Sequence, residues 1–356
     1  LASAVALVSG TSVGAGIIAL ATVSAQPGFL PSSGALLFSW ALMCSTGLLI
    51  AENRGQRRGG GSHSSHALGI VSSTHRLLGR PAAAAAALFY AFIHYALLTA
   101  YIAEAGAILG AHLPHPLAPL LFTFVLGGAM ALGSDSFVRR LNDLFFLSVL
   151  ATFCALLGMG LGQVRASSLL YHDAAKLGPI FPTLLVALVF HNVVPSVCCS
   201  LRFHRPSVCL AVLLGSLLPL CMFLLWNALV LGLIPIEDCG GKAVDPLALL
   251  MSAMPPARRG ASRALIGLFS VAAIVTSFIG FVIGLMEFLG DLLPLRPRRD
   301  PLLYLLALAP PLLAALLDPD IFLGALDAAG TFGISILFGA LPALLALKLR
   351  GLAAQG

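Results

Sequence analysis

The chain has 356 residues, 59% of them hydrophobic and only 10% charged, with a mean hydropathy of +1.01. Soluble globular chains carry nearer a quarter charged residues, and here apolar runs of about 20 residues recur from end to end. A soluble enzyme, a disordered protein and a nucleic-acid binder are excluded; the net charge of +6 sits in short Lys/Arg clusters between apolar runs, as membrane-orienting charges do.

The apolar stretches predict ten spans, over 3–25, 34–52, 82–111, 117–133, 143–163, 179–201, 207–233, 264–289, 302–317 and 322–347. Hydrocarbon offers the backbone no partners, so these Leu/Ala-rich runs must be helices, and none alternates with period two as a barrel strand would. The expected fold is an all-α integral membrane bundle in a single domain, 1–356. With the N-terminus inside, the inner connections hold 14 of the 20 Lys and Arg residues and the outer ones 6, which places both termini inside. The seven cysteines lie mostly in apolar runs without CxxC or other metal spacing, and read as small buried hydrophobes.

The first span reads VALVSGTSVGAGIIAL. Gly10, Gly14 and Gly16, with Thr11, Ser12 and Ala15 among them, weaken the helical ladder and admit a ligand close to the backbone. A plain Gly-xxx-Gly packing face is the alternative. Gly10 to Gly14 also match G-x-S-x-G, which would make Ser12 the nucleophile of an intramembrane serine hydrolase with His94 or His191 as base; that motif needs a strand–turn–helix setting, and both flanks here are membrane helix. The 53–80 connection carries GGGSHSSH, a low-complexity loop in which His63 and His66 are weak metal candidates. The poly-Ala run 82–87 suits close helix packing.

Span three places Tyr90, His94, Tyr101 and Glu104 on one stripe at about 100° per residue, a polar face for the bundle interior or an aqueous cavity. Span six reads ALVFHNVVPSVC, with Phe190, His191, Asn192, Val193, Pro195 and Ser196 at a second interruption. Interruptions at corresponding positions of two halves point to a secondary transporter with inverted repeats, 3–163 and 179–350. With neither a Walker motif nor HExxH present, the energy would come from an ion gradient. The outer loop 234–263 holds Asp245-Pro246-Leu247, either the start of a short lid helix or plain surface loop. In span eight, Thr276 and Ser277 offer hydroxyls for a cation or bond back to their own helix. Phe278 and Phe281 form an aromatic wall or pack on neighbours, and Glu287 and Asp291 gate, relay protons or pair with Arg296 or Arg298. Asp327, in the LDAAGTFG of span ten, is a proton-relay candidate.

The runs SGTSVGAGIIAL, YALLTAYIAEAG, FHNVVPS, TSFIGFVIGLMEFLGD and LDAAGTFG, in that order, resemble the hydroxy/aromatic amino acid permeases, the tyrosine- and tryptophan-specific transport proteins, particularly their plant and green-algal members. The family lies within the amino acid/polyamine/organocation superfamily. The resemblance implies a LeuT-like five-plus-five inverted repeat with broken helices one and six, and symport of an aromatic amino acid, usually with a proton. It implies binding elements at Gly10–Gly16 and Phe190–Val194. The aromatic surround would be Tyr101, Phe190, Phe278 and Phe281, and the ion route His94, His191 and Asp327 for a proton, or Thr276 and Ser277 for sodium. No cofactor is implied; the partners are the amino acid and the bilayer, with no nucleic acid, and the oligomeric state is left open. The membrane would be the plastid envelope or the plasma membrane. Two departures from the resemblance are expected to matter: Ala21 stands where the family usually has Pro after GAGxxAL, and the sequence given stops soon after span ten, before the family's eleventh span. Span five, 143–163, contains no Lys or Arg, which removes a lysine amine as the proton carrier.

Overall fold

The computed structural model describes residues 1–55, 69–110, 113–234, 246–253, 259–293 and 300–353. All regular structure in them is helical: α1 (Ala2–Ser12), α2 (Gly16–Ser24), α3 (Phe29–Gly55), α4 (Gly69–Leu78), α5 (Arg80–Leu109), α6 (Leu117–Leu132), α7 (Asp135–Gly160), α8 (Ala166–Leu169), α9 (Phe181–Ala187), α10 (Val194–Ser200), α11 (Arg205–Leu231), α12 (Pro246–Ala253), α13 (Arg259–Leu292), α14 (Pro301–Leu317), α15 (Phe322–Ala328) and α16 (Leu341–Ala353). A π-helical stretch, Ala329–Ala340, joins α15 to α16 without interruption. The candidate histidines His63 and His66, and Asp245, lie outside the described residues, as do Arg296 and Arg298.

Over the described residues each expected span falls on helix, apart from the breaks within spans one and six. Seven helices or merged segments are long and apolar enough to cross a membrane, and the bent pair α1–α2 makes an eighth. The remaining two apolar helices, α6 and α14, have 16 and 17 residues, or about 24–26 Å at 1.5 Å per residue, somewhat short of a full hydrocarbon crossing. Helix ends extend past the apolar runs where local chemistry permits. α7 begins at Asp135, eight residues before the apolar run, because Ser134 caps it by accepting from the Phe137 amide at 3.2 Å. α14 starts similarly, Asp300 accepting from the Leu302 amide at 3.0 Å just before Pro301. The helix expected after Asp245 is present as α12, which packs on α2, α11 and α13.

The long α13 is central, lying against α5, α7 and α14. α11 runs along both halves of the first span: Ser9 Oγ donates to the Gly215 carbonyl at 2.8 Å, and Asn227 Nδ2 donates to Ser24 Oγ at 3.1 Å. α3 meets α11 where Trp40 Nε1 donates to Ser216 Oγ at 3.0 Å and Cys44 Sγ lies 3.1 Å from the same oxygen. Such polar ties are the stronger specifiers in a bundle whose lipid solvent is as apolar as its core. Small residues bring the backbones together: a Cβ added at Gly16 would sit 3.0 Å from Ala187 Cα, and one added at Gly330 2.2 Å from the Pro182 carbonyl oxygen. The outer face is apolar, with Phe38, Phe124, Leu132, Leu144 and Leu317 exposed, as lipid-facing side chains should be.

Candidate functional site

Both interruptions exist and they are neighbours. Between α1 and α2 the chain leaves the helix over Val13–Ala15 and bends by 54°. Gly10, Thr11 and Ser12 remain helical, so the opening is narrower than the glycine-rich run suggests. Across it the Val13 amide bonds the Ser9 carbonyl and the Ile17 amide the Gly14 carbonyl. The Ala15 amide donates to Ser277 Oγ of α13 at 3.0 Å. The amides of Gly14 and Gly16 form no hydrogen bond among the described residues. Gly14 is required by proximity: a Cβ there would lie 2.0 Å from Ser277 Oγ and 3.3 Å from Ser277 Cβ.

Span six is interrupted between α9 and α10. Leu188, Val189 and Phe190 leave the helix and His191–Val193 form a single 3-10 turn. Pro195, in the first turn of α10, occupies a position that needs no amide donor. Ser12 Oγ reaches back to the Val8 carbonyl at 3.4 Å and across to the Val189 carbonyl at 3.5 Å, a long contact that links the two interruptions. A hydroxyl facing two carbonyl oxygens acts as a donor, and no imidazole is bonded to it, so the nucleophile reading of Ser12 has no support in its surroundings.

Beside the first interruption, α5 and α13 build a polar–aromatic seam. Tyr101 lies near Ser277, whose hydroxyl accepts from the Ala15 amide, so α13 brings span three close to the opening in span one. The Phe281 ring lies 5.7 Å from Tyr101 and 5.2 Å from His94. His94 stacks on Tyr90 at 4.2 Å, its Nδ1 is 2.8 Å from the Tyr90 carbonyl, and its buried Nε2 has no partner. Tyr90, His94 and Tyr101 are all buried, which is the stripe expected of span three; Glu104 is half-buried at its outer end.

His191 sits in a different wall. Its Nε2 is 2.9 Å from Thr46 Oγ1 on α3, and its ring stacks between Phe190 and Phe338, at 4.9 and 5.0 Å. The Phe190 ring fills the space left by Gly47, where a Cβ would come within 2.8 Å of it. His94 and His191 therefore do not form a pair. Beside His191 lies a cavity of about 20 Å³, lined by Tyr90, His191 and Asn192 among others; the buried His191 Nδ1 and Asn192 Oδ1 atoms of two of its lining residues lack partners. That is room for about one water-sized ligand.

Several expected residues are placed elsewhere. Phe278 points at Phe122 of α6, ring centroids 5.2 Å apart, because it lies about 100° around α13 from Ser277. Thr276 bonds back to the Ala273 carbonyl at 3.0 Å, and Thr11 to Leu7 at 2.7 Å, so neither hydroxyl is presented to the opening. Asp327 is exposed on the outside of the bundle, since α15 turns Phe322, Ala325 and Leu326 inward; this corrects its reading as a core proton relay. Val193 is half-buried beside the 3-10 turn. The sequence reading missed Thr46, the partner of His191, and Gly284, where a Cβ would lie 2.9 Å from His94 Nε2. Gly284 was reachable, because 277, 281, 284 and 288 share one face of α13.

An all-helical apolar bundle with two interrupted spans side by side in its core has the build of a multi-pass membrane transport protein. The tryptophan/tyrosine permease family matches residues 1–355, and the chain belongs to it. Its relatives include the tyrosine-specific transport system 1 of Haemophilus influenzae, 30% identical over 91% of this chain and 82% of the relative. The tryptophan-specific transport protein of Shigella flexneri is 29% identical over 98% and 87%, and the tyrosine-specific transport system 2 of Haemophilus influenzae 29% over 91% and 82%.

Proposed function

We propose that the protein is a secondary active transporter that carries tyrosine or tryptophan by symport with a proton, on a LeuT-like inverted repeat of 3–163 and 179–350. The observation that carries this reading is the unpaired amides of Gly14 and Gly16 at a bend of 54°, next to the interruption in span six. Amides at a half-helix terminus suit a carboxylate, and the carbonyls freed around Phe190–Val194 suit an ammonium group. The Tyr101–Phe281 edge supplies an aromatic surface beside them, with ring contacts of about 0.5–1.5 kcal/mol each.

Packing supports the repeat. α1 and α2 touch α10 and α9, α3 touches α11, α5 touches α13 and α6 touches α14. Each of the first four spans thus lies against the span five places on, an arrangement compatible with a pseudo-twofold axis through the bundle. For the coupling ion, the partnerless atoms of His94, His191 and Asn192 around Tyr90 favour a proton, since imidazole titrates near working pH when unperturbed. Sodium is the second reading, favoured by the Ser277 hydroxyl at the opening; against it, that oxygen already accepts from the Ala15 amide.

The test is uptake of labelled tyrosine, tryptophan and leucine into proteoliposomes with pH and sodium gradients imposed separately. Concentrative uptake of the aromatic substrates under a pH gradient alone is expected. Uptake driven by sodium at fixed pH, and indifferent to a proton gradient, would overturn the proton assignment.

A further inference from the structure

Away from both interruptions, a cavity of about 370 Å³ opens on the cation-rich side of the bundle between α3, α10, α11 and α16. α3 and α11 are tied together at Ser216, which contacts Trp40 and Cys44. The cavity lies further toward the cation-rich end, lined by Leu48 of α3 and by Val208 and Cys209 of α11. The turn closing the cavity floor holds two consecutive non-glycine residues in the left-handed region, Arg202 at φ 49° and Phe203 at φ 57°. That conformation brings Phe203 to the cavity wall and starts α11 at Arg205.

The chemistry of the lining is divided. The interior is apolar, and on α11 it continues outward along Cys209, Leu213 and Leu217, exposed at helical spacing on the lipid-facing surface. The rim carries Arg205, Arg350 and Glu52. Arg350 is spent on Glu52, with Nη2 2.7 Å from Oε2. Arg205 forms no ion pair among the described residues, so the rim keeps one positive charge in excess. A hydrocarbon track leading into an apolar cavity beneath an uncompensated guanidinium matches a molecule with an acyl chain and an anionic head. A free anion would have no use for the apolar walls, and a neutral lipid none for Arg205.

We propose that an anionic phospholipid of the cation-rich leaflet binds here, its phosphate held at Arg205 on the rim and its proximal acyl carbons filling the apolar cavity, with one acyl chain continuing along the exposed face of α11. Basic pockets between membrane helices on that side are suited to such headgroups. Through Cys198 the occupant touches α10, one half of interrupted span six, and through Leu48 it touches α3. The site stands whether or not the transport reading does.

The test is native mass spectrometry of the full chain in detergent, titrated with phosphatidylglycerol or phosphatidylcholine of identical acyl chains. Retention of phosphatidylglycerol about five-fold above phosphatidylcholine is expected, from one effective charge contact. Arg205→Gln should abolish the preference and Arg205→Lys retain it, and Cys209→Trp should reduce retention of both lipids by filling the cavity mouth. Circular dichroism and monodispersity check that each variant is folded. Equal retention of the two lipids by the unsubstituted protein, or an unchanged preference in Arg205→Gln, overturns the proposal. So does displacement of the lipid by millimolar inorganic phosphate, which would mark a simple anion site, or indifference to Cys209→Trp.

Discussion

Replacing Gly14 with alanine tests whether the opening in span one depends on its contact with α13. The added Cβ would fall 2.0 Å from Ser277 Oγ and 3.3 Å from Ser277 Cβ. The hydroxyl can rotate away, but it then abandons the Ala15 amide it accepts from at 3.0 Å. A buried amide left without an acceptor costs about 1–3 kcal/mol, which is about a 5- to 150-fold loss of substrate affinity if binding needs that geometry. Ser277→Ala alone should cost a similar amount, because it strands the same amide. The two losses share one hydrogen bond, so Gly14→Ala in the Ser277→Ala background should add little beyond a few tenths of a kcal/mol. Equilibrium binding of labelled tyrosine and tryptophan to the purified single and double variants measures the cycle. Full additivity, or normal binding by Gly14→Ala, would refute the coupling of Gly14, Ala15 and Ser277.

Phe281→Ala should lower uptake of tyrosine and tryptophan more than that of a small amino acid, whereas Phe278→Ala, facing Phe122, should lower thermal stability without altering selectivity; competition assays and melting curves separate the two. His94→Gln or His191→Gln should preserve exchange across proteoliposomes but abolish accumulation under a pH gradient, whichever residue carries the proton. Asp327→Asn, exposed outside the bundle, should leave both exchange and accumulation unchanged. Thr46→Val should destabilise the protein by about 1–3 kcal/mol through the stranded His191 nitrogen, measurable as a lowered melting temperature.

Sequence reasoning succeeded where one helix carries the information. Tyr90, His94 and Tyr101 were readable as one buried stripe because 3.6-residue periodicity alone decides it. Phe278 and Phe281 group together by residue type and lie only about 60° apart around α13, yet that rotation is enough to put Phe278 against Phe122 of α6 and Phe281 against Tyr101 of α5. The first opening was legible as a region but not in extent: a glycine costs a helix only about 1 kcal/mol, so Gly10 stays in α1 and the chain parts only at Val13–Ala15. Asp327 shows what a single helix cannot say, since an apolar neighbourhood in sequence does not reveal which face meets the bundle. The bond from His191 to Thr46 joins residues 145 positions apart and left no local trace. Nor did the π-helical stretch of span ten.

Polar groups in the membrane core divide by what their free atoms do, and that division separates structure from site. Ser9, Trp40 and Tyr304 each spend a donor on another helix, at 2.8–3.0 Å. Those residues fix helix positions. His94 and His191 instead spend one ring nitrogen, on Tyr90 and Thr46, and each keeps the other buried without a partner. An orphaned polar atom in this environment costs free energy that a merely structural residue has no reason to bear. Trp226 shows the bland version: its Nε1 is also partnerless, but the indole is packed among Phe153 and Phe269, where its ring area alone explains its presence. The histidines have a different setting. His191 Nδ1 and Asn192 Oδ1 belong to residues lining one small cavity with Tyr90, on which His94 stacks, and that cavity adjoins the interruption in span six. Partnerless atoms gathered at a backbone opening can be satisfied by a proton, a water or a substrate group, which makes them the part of the bundle able to respond to transport.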